Sequence, residues 1–406
     1  VNKKVTIIGA GPAGLVAAAN LLNSGVEVTI LEKSKFPRVS VGESLLPISI
    51  DHFRQVGIFD ALDAADFLKK YTVRFIKGEK QINFVFAEQY TENAQPWTWQ
   101  VARARFDQTM ANAVIEKGAN ILFETEVTAF NYDGNQAHVS YKNTEGEHTI
   151  ESDFVFDASG FGLVLPRLLG MEINKTFLPN YAVFSHFKDE KRANYFEGER
   201  IWFDVLDLDL WAWSIPIENE VSSVGIVGNK RHFDDNPEDQ EKYMRELIHK
   251  SEFGKRYNSQ EMLMQPIWHK GYSQSVNITT GDGFALIGNS TEFLDPVFSS
   301  GVALATSSAM KATDCLIRSF NGENVDWKEY EEFIEYGVDV YRTYVKAWYS
   351  GDLQDIFFTD NLNVDYKLKI CSVLAGYVWD KTNPFVTQHK RAIKALAQVV
   401  RQFENR

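Results

Sequence analysis

Three glycines near the start of the chain have a spacing that can do chemistry. Gly9, Gly11 and Gly14 stand as Gly-x-Gly-x-x-Gly, directly after an apolar run at 4–8 and at the head of an Ala- and Leu-rich run at 12–24. Glu32 closes the next apolar run, 26–31. That arrangement binds the pyrophosphate of a dinucleotide. Gly9 permits the tight turn, Gly11 lets the backbone approach the phosphates, and Gly14 lets helix and strand pack closely, while unpaired N–H groups at the helix start face the anion. Glu32 can accept both hydroxyl protons of an adenosine ribose. Pro12, Ala13 and Lys33 lie among these contacts and belong to the expected site. Three turn glycines and a surface glutamate are the plain alternative, and the strand and helix flanks argue against it. The two cysteines, Cys315 and Cys371, form no CxxC motif, and the eight histidines lie singly without metal-ligand spacing, so no metal is expected.

The elements that must position these residues read as a βαβ unit: strand 4–8, helix 12–24, strand 26–31. A helical stretch at 46–56 follows, then short apolar runs at 73–76 and 82–86 that look like strands of another sheet. Residues 106–117 have helical periodicity. Runs 121–130 and 137–141, joined through Asp133-Gly134, read as a strand and hairpin. Between 181 and 227 the pattern is aromatic and alternating, as in a sheet with one face buried and the other lining a cavity. A return strand at 285–287, a long helix at 302–320 and a charged, aromatic helical region from 324 complete the chain. The expected class is α/β: a Rossmann-like dinucleotide-binding domain (1–70, 100–170, 275–322) interleaved with a mainly antiparallel substrate-binding sheet domain (71–99, 171–274), plus a C-terminal helical region (323–406).

With 406 residues the chain can bury a large core in two or three units. A formal charge of −13 supplies no basic face for phosphate backbones, so nucleic acid is not an expected partner. The first strand begins almost at Val1 and no later apolar run would span a bilayer. Neither export nor membrane anchoring is expected, and the cysteine usage suits a reducing cytoplasm.

Later segments indicate FAD as the dinucleotide. The chain resembles the flavin monooxygenase superfamily, in which a substrate sheet splits the nucleotide domain. Asp157-Ala158-Ser159-Gly160, and the stretch from Gly281 to Gly288-Asn289, occupy places where that superfamily touches the flavin. The second stretch usually ends Gly-Asp; Asn289 replaces the acid and can still hydrogen-bond without charge. Arg103 matches a family arginine near the cofactor, although an ion pair with Asp107 at a helix start would also explain it. The resemblance adds Val127 to the expected cofactor contacts.

Within that superfamily the chain is most similar to the flavin-dependent halogenases acting on phenols and pyrroles, over almost its whole length. Phe36-Pro37-Arg38 and Gly42-Glu43-Ser44-Leu45-Leu46-Pro47 resemble the family's mobile loop over the flavin, which implies cofactor contacts for Arg38 and Ser44. A loop leading into a helix capped by Ser44 is the simpler alternative. Trp211-Ala212-Trp213-Ser214-Ile215-Pro216 matches the WxWxIP signature. Its implied role is bulk: two indoles keep an organic substrate from the peroxide and admit only a small ion, although such residues are also ordinary sheet core. The stretch 65–75 aligns with a pattern that puts one lysine between two aromatics, which makes Lys70 catalytic, with Lys69, Lys77 and Lys80 as rivals and Thr72 where the family has glycine. The stretch from Phe293 to Val302 matches the family closely. It implies halide binding by backbone N–H groups of Ser299, Ser300 and Gly301, and flavin contacts from Pro296, Ser299, Gly301 and Val302; a Ser/Gly helix cap is the alternative.

The implied reaction runs from reduced flavin and O2 to a C4a-hydroperoxide, which chloride or bromide attacks to give hypohalous acid. Lys70 holds this and aims it at a small, electron-rich aromatic substrate, free or tethered to a carrier protein. No second dinucleotide fingerprint is present, so a separate flavin reductase is the expected electron source. An aromatic hydroxylase, an isoprenoid double-bond reductase and a flavin carrier without turnover share the cofactor site and stay open as alternatives.

Overall fold

In the computed structural model, which describes residues 3–175, 178–190, 192 and 200–404, two sheets divide the work of holding a cofactor. The first has six strands in the order Thr280–Gly281, Phe284–Leu286, Phe154–Asp157, Lys4–Ile8, Glu27–Leu31, Asn120–Leu122. Every pairing is parallel except that of the edge strand Thr280–Gly281. Parallel strands must be covered on both faces, and their sequences are accordingly near-continuous apolar runs. Val5, Ile7, Val28 and Ile30 face the main core with helix Pro12–Asn23. Ile8, Leu31, Val155 and Leu286 face a second core under an antiparallel sheet of Glu126–Tyr132, Ala137–Asn143 and Gly146–Ser152. Helices Arg103–Glu116 and Ser300–Phe320 both pack on Pro12–Asn23.

The second sheet has seven strands, in the order Ile267–Lys270, Asn180–Lys188, Val221–Asn229, Leu210–Glu218, Ile201–Asp207, Thr72–Lys77, Lys80–Val85. Only Ile201–Asp207 and Thr72–Lys77 run parallel, because the chain reaches that edge from a distant part of the sequence. Phe75, Phe184, Phe203, Trp211 and Trp213 point to the cofactor side. Val183, Trp202, Ala212 and Ile226 point to the other side, under helix Gln240–Ile248, so both faces are covered. Helices Lys328–Tyr349, Asp352–Phe358, Val364–Leu374, Pro384–Thr387 and His389–Glu404 form the C-terminal region.

The fold is therefore α/β with an interleaved antiparallel sheet and C-terminal helices, as expected, with some local differences. The expected strand 121–130 is two strands, because Glu124 adopts a left-handed φ of 53° and turns the chain from the parallel sheet into the hairpin. Two helices start earlier than expected, at Arg103 and Ser300. A short ribbon pairs Leu68–Lys70 with Thr98–Gln100. Among the described residues no helix is long and apolar enough to cross a membrane. Within the aromatic stretch 181–227, Tyr195 and Phe196 lie outside the described residues.

Candidate active site

The strand Lys4–Ile8 ends at Gly9, whose φ of +100° is a conformation that side chains disfavour. A Cβ there would lie 2.7 Å from the Ala158 carbonyl oxygen, and one on Gly14 would lie 2.1 Å from the Gly9 oxygen. Glycine is thus required twice where two strand tips and a helix meet. No side chain caps the helix at Gly11, so its first N–H groups stay available to an anion.

A cavity of about 620 Å³ opens at this point. Gly9, Gly11, Pro12 and Ala13 form one end of it, with Glu32, Lys33 and Val127 beside them. Glu32 is held in place by Ala10 N–H on Oε2 and Ser34 N–H on Oε1, each at 2.8 Å, and each oxygen keeps a further lone pair. Ala158, Ser159, Gly160 and Asn289 line a second stretch, and Pro296, Ser299, Gly301 and Val302 a third. Arg38, Ser44 and Arg103 close the side under the 38–44 loop. An elongated cleft with a glycine-built phosphate cradle and a ribose acceptor fits FAD.

Four expected contacts of the cofactor or halide stand off the wall. Asp157 is fully buried and turned inward: Oδ1 accepts from Ser159 N–H at 2.8 Å and Ser290 Oγ at 3.1 Å, and Oδ2 from Leu165 N–H at 2.7 Å. Burial pushes its carboxyl up from the ordinary value, against those hydrogen bonds. It shapes the loop that presents Ala158 to Gly160. Gly14 and Gly288 act through packing; a Cβ on Gly288 would lie 2.9 Å from that of Ala13. Ser300 is buried in the first turn of helix Ser300–Phe320, behind Ser299 and Gly301.

Arg103 stands at the cavity wall and makes the expected ion pair. It lines the cavity, it pairs with Asp107 through Nε at 2.7 Å and the second guanidinium nitrogen at 2.9 Å, and it donates to the Val41 carbonyl at 2.6 Å. It therefore pins the 41–42 loop to helix Arg103–Glu116. Residues 43–45 are also anchored, since Val101 N–H donates to the Glu43 carbonyl at 2.8 Å and Leu45 N–H to that of Trp99 at 3.1 Å.

At the helix start, Ser299 has a left-handed φ of 55°, and no side chain caps the helix. A non-glycine residue held there stores strain that the surroundings must offset. Asp295 does part of this by accepting Val297 N–H at 3.0 Å. Its other oxygen accepts from Tyr272, Tyr349 and Asn180 at 2.9, 3.0 and 3.2 Å. Burial raises the Asp295 carboxyl to about 6.

Trp211 and Trp213 alternate on one strand and so share the cavity face, with ring centroids 5.9 Å apart. Trp213 donates to Ser223 Oγ at 3.2 Å, and Trp211 to Tyr349 Oη at 3.0 Å. Gly225 makes room for the Trp213 ring: a Cβ there would lie 2.3 Å from Cζ2. Phe203 packs on Trp211 and extends the wall.

Lys70 is 1% exposed. Its ammonium donates to Ser44 Oγ at 2.8 Å and the Leu45 carbonyl at 3.0 Å, and lies 5.3 Å from the Phe86 ring centroid. Burial lowers its pKa to about 7. It sits behind the cavity wall, one hydrogen bond from Ser44, and its strand touches the tryptophan strand. The rival lysines point elsewhere: Lys69 over Trp97, Lys77 to Gln354, Lys80 to Asp360. Thr72 begins a regular strand, and its buried hydroxyl has no partner among the described residues.

Sequence reasoning missed two contacts. Glu43 lines the cavity, and its Oε1 lies 2.5 Å from His186 Nε2. His186, on the same face of its strand as Ala182 and Phe184, was the available signal. Tyr349 is one of several aromatics in the C-terminal helices that fit a ring cavity and ordinary core packing equally well, and nothing in the sequence singles it out.

A fold and cleft of this kind define a dinucleotide-binding oxidoreductase whose cofactor is FAD. The family described as "FAD binding domain" matches residues 2–330, and the chain belongs to it. A solved flavoprotein/dehydrogenase from Cytophaga hutchinsonii is 40% identical, with all of both chains covered and a TM-score of 0.95. The 1H-pyrrole-2-carbonyl-[peptidyl-carrier protein] chlorinase of Pseudomonas fluorescens is 26% identical over 97% of this chain and 93% of its own. CmlS, a flavin-dependent halogenase of known structure, is 27% identical over 95% of this chain and 72% of its own, with a TM-score of 0.77.

Proposed function

We propose that this enzyme halogenates an electron-rich aromatic ring, phenol- or pyrrole-like, and that the ring is free or tethered to a carrier protein. The observation that carries the reading is the buried amine of Lys70, adjoining the cofactor cavity across Ser44, on a strand that touches the indole-bearing strand. Relatedness to a chlorinase that acts on a carrier-bound pyrrole supports the substrate class. Bound FAD, once reduced, supplies the O2 activation that oxidises chloride or bromide. Uncapped N–H groups at the Ser299–Gly301 turn hold the halide, with Ser300 contributing through its backbone. Trp211, Trp213 and Phe203 exclude an organic ring from the flavin, so that only a small oxidised halogen species leaves. Lys70 receives that species and presents it to the ring, whose C–H bond is exchanged for C–halogen with loss of a proton. A buried amine near neutrality suits this, because its neutral form binds the halogen and its ammonium donates protons to departing oxygen. A separate reductase supplies reduced flavin.

The test is Lys70→Ala. The variant keeps FAD and still releases hypohalous acid to a scavenger, while ring halogenation falls by about 10²-fold or more, the range for a lost proton-transfer group. Unchanged ring halogenation removes Lys70 from this role.

A further inference from the structure

Of the two groups that hydrogen-bond Lys70, only Ser44 also forms part of the cavity wall. We infer that Ser44 carries the proton that Lys70 gives up and takes back, linking the buried amine to the flavin cavity. This rests on the reading of Lys70 as the reactive amine.

The argument begins with what surrounds the amine. At 1% exposure it is sealed from bulk water, and among the described residues no carboxylate pairs with it. Glu43, the acid directly before Ser44, directs its carboxylate to His186. Lys69, the neighbouring cation, is turned to Trp97. The Leu45 carbonyl can only accept, and the Phe86 ring offers only its face. A hydroxyl differs from both, since it accepts from an ammonium and donates to the lone pair of a neutral amine. An ammonium has no lone pair with which to bind a halogen, so the amine must lose a proton before it acts and regain one afterwards. Through Ser44 the step balances: one N–H proton passes to Oγ while the serine's own proton passes to a cavity water, and the reverse transfer restores both groups. No charge stays on the serine. The hydroxyl is held for this, because residues 43–45 are strapped to Trp99 and Val101 and the Glu43 side chain to His186. Burial pressing the amine to about 7 makes both protonation states available near neutral pH.

The experiment uses FAD-loaded protein with 13Cε-labelled lysine, the Lys70 signal being assigned by its loss in Lys70→Ala. Wild type and Ser44→Thr are expected to show that signal titrating near neutrality with rapid proton exchange. In Ser44→Ala, exchange slows by about tenfold or more, the direction expected when a proton carrier is lost. Should Ser44→Ala not fold, Ser44→Cys, a weak donor of similar size, slows exchange in the same sense. Halogenation by the same variants is read in parallel, and Ser44→Ala loses ring product while Ser44→Thr keeps it. Unchanged exchange in Ser44→Ala overturns the relay whatever the activity. Slowed exchange alongside a wild type that makes no halogenated product supports the relay and removes only the reaction assigned to Lys70.

Discussion

At the scale of single residues, the buried amine leaves a signature in stability. The folded pKa of Lys70 is lowered to about 7, against 10.5 for an ordinary lysine. Between those values the unfolded chain binds one more proton than the folded one, so stability rises with pH, by up to about 1.4 kcal/mol per pH unit. Below the lower value this contribution is flat. Lys70→Met is expected to lose the rise, and denaturant unfolding of both proteins at neutral and alkaline pH, at equal FAD saturation, checks it. Equal slopes would mean that the amine is hydrated. Residue types alone left Lys69, Lys70, Lys77 and Lys80 as rivals, because all four lie in one charged stretch. The family resemblance points to Lys70, and the ribbon pairing Leu68–Lys70 with Thr98–Gln100 turns Lys70 inward while Lys69 stays exposed. Gly9 and Gly14 were legible for the opposite reason: backbone approach so tight allows no other residue.

At the scale of elements, the indole wall depends on a helix far from it in sequence. Tyr349, ending helix Lys328–Tyr349, accepts the Trp211 N–H and donates to Asp295, and so ties the wall to the turn proposed to bind halide. Tyr349→Phe leaves the indole N–H without its acceptor, at a cost of about 1–3 kcal/mol for a buried donor. The expected result is a lower unfolding midpoint together with more hydrogen peroxide per turnover. Stability loss with unchanged coupling between O2 use and product would confine Tyr349 to a structural part. The βαβ unit was readable because a parallel strand buried on both faces is an unbroken apolar run. The break between Asn120–Leu122 and Glu126–Tyr132 is marked in the sequence only by the polar triplet Glu124-Thr125-Glu126, which carries no turn residue such as glycine or proline, and the left-handed φ of Glu124 makes the turn. Three-residue strands paired across almost thirty positions carry no local signal at all.

At the scale of the whole molecule, two sheets bound the FAD cleft, and the C-terminal helices lock the wall beyond the family match at residue 330. The sequence carries a single dinucleotide fingerprint, at Gly9 to Gly14. Purified alone with FAD, the protein is therefore expected to oxidise NADH far more slowly than with an added flavin reductase, measured by the loss of NADH absorbance. The most direct test of the central claim is mass spectrometry of the products from a small panel of phenols and pyrroles, free and carrier-bound, supplied with reductase, NADH, FAD, O2 and chloride or bromide. The account predicts ring products with the isotope pattern of the supplied halogen, formed by wild type and reduced by about 10²-fold or more with Lys70→Ala. Products that gain oxygen and no halogen, made equally well by both proteins, would contradict it.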